Sequence, residues 1–128
     1  MRKLVLLAIV VVSMMMMSCS KSSTYQVRNG TSGYTLYGVN VYEYQNSSVV
    51  GQNYVGSLYA GDMSSQQEAA QNANRVKVAM KFEPGGDIYT TTEFTDLVSG
   101  GNTIVLLDDY TYVRSDAKGE VRLGDLKK

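Results

Sequence analysis

The sequence predicts an all-β domain, an antiparallel β-sandwich of about seven strands. Three observations carry this. Segments rich in Val, Tyr, Thr and Ile recur along the chain and alternate apolar with polar residues. Clusters of Gly, Asn, Asp and Ser separate them at short intervals. No stretch shows the 3.6-residue apolar spacing of a long amphipathic helix.

In chain order, the expected strands are Tyr25 to Asn29, Tyr34 to Tyr44, Tyr54 to Ala60, Arg75 to Glu83, Thr103 to Leu107 and Tyr110 to Arg114, with a short one from Glu120 to Leu123. The clearest is Arg75 to Glu83, where Val76, Val78, Met80 and Phe82 alternate with mostly charged residues, so one face meets a core and the other meets water. Pro84-Gly85-Gly86-Asp87 ends it, and Ile88, Thr90, Thr92 and Phe94 resume a period of two, which predicts a hairpin. Asn46-Ser47-Ser48 reads as a turn. Ser64 to Asn74 is polar, with Ala69, Ala70, Ala73 and two capping-box patterns, and reads as a surface loop with a helical turn in preference to a stable helix. Several strands have one polar face, which favours a sandwich of the immunoglobulin-like or transthyretin-like kind, with a small barrel as the alternative.

The first residues are of a different character. Arg2 and Lys3 precede an unbroken apolar run from Leu4 to Val12, and a Met-rich stretch leads to Ser18 and Cys19. This is the order of a signal peptide, and the run is shorter than the ~20 residues of a spanning helix. Met16-Met17-Ser18-Cys19 resembles the lipobox of Gram-negative bacterial lipoproteins. The resemblance implies cleavage after Ser18 and a lipid on Cys19, and places the chain among small β-rich envelope lipoproteins. Alternatives are a secretory signal cut elsewhere and an uncleaved anchor helix over Leu4 to Met17. Cys19 is the single cysteine, so no internal disulfide can form. In such lipoproteins acidic residues after the lipidated Cys mark export to the surface. Ser20-Lys21-Ser22-Ser23 lacks them, which points to the periplasmic face of the outer membrane.

The expected organisation is therefore a leader over 1–18, a flexible tether over 19–24, a sandwich over 25–124 and a frayed tail over 125–128. Arg2 and Lys3 belong to the leader, so 10 of the 12 basic residues remain against 12 acidic ones, a net charge of −2. Near-neutral charge without a basic stripe argues against nucleic acid as a partner.

The chain contains no His and no Trp. A Ser-His-Asp or Cys-His arrangement cannot be assembled, and the usual nitrogen and sulfur ligands for zinc or copper are missing. Neither a cofactor nor a catalytic residue is expected. Asp108-Asp109 is the one adjacent carboxylate pair, and neighbours on a strand face opposite ways, so its expected role is to end a strand and begin a turn. Asp62, Asp87, Asp108 and Asp109 near turns could offer oxygen ligands to calcium, but none lies in a D-x-D-x-D loop, and no metal site is assigned.

Tyrosine invites a binding hypothesis, with ten Tyr against two Phe. Tyr42 with Tyr44, and Tyr110 with Tyr112, are expected to share strand faces, where they either brace neighbouring strands or offer rings to a sugar or protein. The leading expectation is a non-enzymatic envelope lipoprotein held at the membrane through Cys19, binding a protein partner or glycan or serving as a structural module. The alternatives are an inhibitor or assembly factor docking Asn46 to Gln52 or Ser64 to Asn74 into a larger protein, and a carboxylate-dependent enzyme.

Overall fold

The computed structural model describes residues 22–127, and it is a β-sandwich. The leader, Cys19 and Lys128 lie outside the described residues. Among the described residues ten strands form: β1 (Thr24–Gly30), β2 (Leu36–Gln45), β3 (Ser48–Leu58), β4 (Gln67–Glu68), β5 (Arg75–Lys81), β6 (Tyr89–Thr91), β7 (Thr95–Asp96), β8 (Asn102–Asp108), β9 (Tyr112–Arg114) and β10 (Val121–Arg122). The larger sheet runs in the order β10-β9-β6-β5-β2-β3, with β7 also paired to β5, and every pair in it is antiparallel. The smaller sheet is β4-β1-β8, in which β1 and β8 run parallel.

The core lies between the sheets. Tyr25 and Val27 of β1 and Val105 and Leu107 of β8 face Val39 and Val41 of β2, Val76, Val78 and Met80 of β5, and Val113 of β9. Alternation does what it must: on β5 the even positions are fully inside, while Arg75, Lys77 and Lys81 on the odd positions stay half-exposed.

Several elements differ from expectation, each for a visible reason. β3 begins at Ser48, because Asn46, at φ 57°, makes a tight turn after Gln45 that zips the polar stretch Ser48 to Asn53 onto β2. The run after the Pro84 hairpin is out of phase. Met80 pairs with Tyr89, so Tyr89 and Thr91 face inward while Ile88 is 57% exposed. Tyr89 sets that register by packing edge-on against Phe82, with centroids 5.2 Å apart. Ser64 to Asn74 is an extended strap carrying β4, not a helical turn: Ser64 Oγ accepts from the Val27 N–H, and the Ala69 N–H donates to the Ser23 carbonyl. Bonds to β1 thus replace the local ones a helix would supply. Thr24, expected in the tether, is the first residue of β1. The tail, expected to fray, forms a 3-10 helix over Leu123–Lys127, because Leu126 follows Leu123 by one turn and packs against the core.

Candidate functional site

β8 is the open edge of the smaller sheet. Its phase follows from one bond: the Thr24 N–H donates to the Gly101 carbonyl at 2.9 Å, so in this parallel register residues 103, 105 and 107 turn both backbone groups toward β1. The even residues turn theirs outward. Asp108 agrees, since its N–H donates to Thr111 Oγ1 on the far side. The N–H and C=O groups of Ile104 and Leu106 therefore lie along the edge, and their side chains are 45% and 50% exposed.

A groove of about 290 Å³ runs beside this edge. Val105 to Asp108 form one wall, and Thr91, Glu93, Phe94, Thr95, Tyr110 and Tyr112 form the other. Tyr110 does not share a strand face with Tyr112, as the sequence suggested. The Asp108 carboxylate accepts from the Tyr110 N–H at 3.0 Å and from Thr111 Oγ1 at 3.1 Å, which ends β8 in a turn, and β9 starts only at Tyr112. The two rings still line the same groove, with Tyr110 73% and Tyr112 37% exposed. Arg122 steadies Tyr112, its Nε donating to the phenol oxygen at 3.3 Å.

Tyr42 and Tyr44 do share the outer face of β2, half-buried. Tyr44 meets Phe94 edge-on at 5.0 Å, and the same Phe94 ring carries the Arg75 guanidinium at 3.7 Å and the Lys77 ammonium at 4.4 Å. These contacts brace β2, β5 and the segment before β7 against one another. Tyr44 is thereby committed to its neighbours.

Asp108 and Asp109 do not form a facing pair. Asp109 accepts from the Ser32 N–H at 3.1 Å and the Tyr34 hydroxyl at 2.9 Å. Hydrogen bonds from Ser32, then from Tyr34, hold its carboxyl below the usual carboxylate range. Burial, then the bond to Asp109, raises the Tyr34 phenol above its ordinary value.

Glu43 was not singled out from the sequence, yet it occupies a core position on β2 and is 2% exposed. Tyr25 OH donates to its Oε2 at 2.6 Å and Asn53 Nδ2 to the same oxygen at 2.7 Å, while the Ala70 N–H donates to Oε1 at 2.8 Å. Burial first, and the Glu43 contact second, push the Tyr25 phenol well above its ordinary value. The one available signal was phase: Glu43 continues the Val39, Val41 alternation inward. Among the described residues no group of three or more His, Cys, Asp or Glu side chains is placed to hold a metal ion. No family model, curated protein or solved structure matches the chain.

Proposed function

We propose that the protein is a non-enzymatic cell-envelope lipoprotein, held by a lipid on Cys19, that binds a partner protein by taking an extended segment of it along β8. The observation that supports this most is the edge of β8. Ile104 and Leu106 offer unpaired backbone donors and acceptors together with exposed apolar side chains, and the groove with Tyr110 and Tyr112 lies alongside. Strand addition uses those two resources: ladder bonds give affinity, and alternate side chains give selectivity. Natural edges are usually blunted by Lys, Pro or a bulge. Asn102 to Leu107 contains no charge and no Pro.

Protein is favoured over glycan because Tyr42 and Tyr44 are half-buried and Tyr44 is packed edge-on against Phe94, whereas a sugar platform presents freely exposed rings. The test is a comparison of the acylated protein with Ile104→Lys/Leu106→Lys for partners retained from detergent-solubilised envelopes, with hydrogen exchange on the complex. The expected result is a stoichiometric partner that slows exchange at the Ile104 and Leu106 amides and is lost from the double variant at unchanged melting temperature. Equal retention by both proteins would sink the reading.

A further inference from the structure

A second groove, of about 450 Å³, lies on the outer face of the larger sheet, across β6 from the groove beside β8. Its lining follows from strand phase. Lys77 holds an outward position on β5, and Tyr89 and Thr91 face the core, so Thr90 and Thr92 face out. Val113 is buried, so its neighbour Arg114 on β9 faces out too, and the register sets it opposite Thr90. The Thr92 N–H donates to the Tyr112 carbonyl at 3.0 Å and carries that pairing past the end of β6. After β9 the Lys118 N–H donates to Ser115 Oγ at 3.1 Å, which closes the turn that holds Asp116, and Glu120 completes the wall.

Every lining side chain is polar or charged. The groove therefore has no ring to stack on a sugar and no apolar surface to bury a hydrophobic group. Its charges are of both signs, and they are not equally engaged. Arg114 and Glu120 stand 4.0 Å apart with side chains 64% and 43% exposed, a weak pair. The Lys77 ammonium rests on the Phe94 ring, and among the described residues neither Lys77 nor Asp116 has an ion-pair partner. Thr92 Oγ1 is shielded from solvent and has no hydrogen-bond partner. Buried hydroxyls are nearly always bonded, so an exception on the wall of a groove calls for a reason.

We propose that this groove binds a short free peptide, its carboxylate at Lys77 and Thr92 and its ammonium group at Asp116. A dipolar ligand answers both unpaired charges at once, which neither a simple anion nor a simple cation does. Its length follows from the sheet. β5 and β9 flank β6 at ~4.8 Å each, so the two charges stem from backbone at least about 10 Å apart. A single amino acid is too short for that, and about three extended residues span it. Thr90, between the two charges, is placed to bond the peptide's amides. The site is separate from the β8 edge and uses charge and hydroxyl groups where strand addition uses a backbone ladder.

The experiment titrates the full mature chain with tri-alanine in a calorimeter, beside N-acetyl-tri-alanine and tri-alanine amide. The free peptide is expected to bind saturably, and each cap to weaken binding by about tenfold, the worth of one charge-assisted bond. Variants then assign the ends. Lys77→Met is expected to bind the free peptide and its amide equally while still penalising the acetyl cap, and Asp116→Asn to do the reverse, both at unchanged melting temperature. Ile104→Lys/Leu106→Lys is expected to bind tri-alanine like the parent, so a failure at β8 and a failure here are told apart. Absence of saturable binding, caps that cost nothing, or a variant that leaves its own cap penalty intact overturns the proposal.

Discussion

Glu43 is the buried charged side chain among the described residues, and no cation balances it. Three donors do: Tyr25 OH, Asn53 Nδ2 and the Ala70 N–H. Charge-assisted bonds of this kind are the strong ones, and losing the acceptor would strand the buried Tyr25 hydroxyl proton and unpair the Ala70 N–H, while Asn53 Nδ2 keeps the Glu68 carbonyl. Glu43→Ala is expected to cost about 3–5 kcal/mol, from the unpaired donors and the emptied site together, whereas Tyr25→Phe, which removes one bond to the carboxylate, should cost about 1.5–3 kcal/mol; urea unfolding of the two variants checks the order. Two phenols, Tyr25 and Tyr34, have raised folded-state pKa values, so the neutral form is the one the fold favours. The stability they contribute is therefore complete below the unfolded value of about 10 and is lost as pH climbs above it. Tyr25→Phe/Tyr34→Phe should flatten the alkaline limb of a stability–pH curve. Asp109 acts in the opposite sense. Its depressed folded value makes its contribution present above the unfolded carboxylate range and lost as pH falls, so Asp109→Asn should flatten the acid limb.

At the level of elements, the β2–β3 hairpin and β8 obey different constraints. Gly51 sits opposite Glu43 across the β2–β3 pair, and an added Cβ would collide with Glu43 Oε1 and come within 2.8 Å of the Ala70 Cβ. Gly51→Ala should therefore destabilise by about 1–3 kcal/mol, the range for overpacking a filled site, and thermal denaturation measures it. β8 offers a sharper test, because its two backbone phases have different jobs. A proline at 105 deletes a bond to β1, while one at 104 deletes only an outward N–H. Val105→Pro is expected to unfold the domain. Ile104→Pro should leave it folded but unable to hold a strand along the edge, and circular dichroism together with partner retention separates the two.

On the scale of the whole molecule, the pairing of β1 with β8 dominates. It joins Thr24 to Asn102 and Gly30 to Asp108, so most of the domain, from β2 to β7, lies between the partners. Loop closure over that separation precedes any reward from the contacts, and sandwiches with such pairings fold in roughly milliseconds to seconds. Stopped-flow refolding followed by tyrosine fluorescence should show this slow range, and complete refolding within microseconds would contradict a late β1–β8 closure.

The sequence alone determined the class of fold, because alternation is a local consequence of strand geometry and the Gly, Asn and Asp turns that bound each strand are local too. It located β5 and its hairpin turn, and it read Asp108-Asp109 as a strand end. Tertiary structure decided what depends on a partner: that the polar stretch Ser48 to Asn53 is strand because β2 templates it, that the 64–74 segment is a strap because β1 accepts it, and that Tyr110 leaves its expected strand. It also decided that Glu43 is inside, since a carboxylate at a core position is tolerated only where Tyr25, Asn53 and Ala70 converge from three different parts of the chain. Pattern records which side of a strand is apolar. Which strand is left with an empty edge is fixed only when every other strand has found its neighbour.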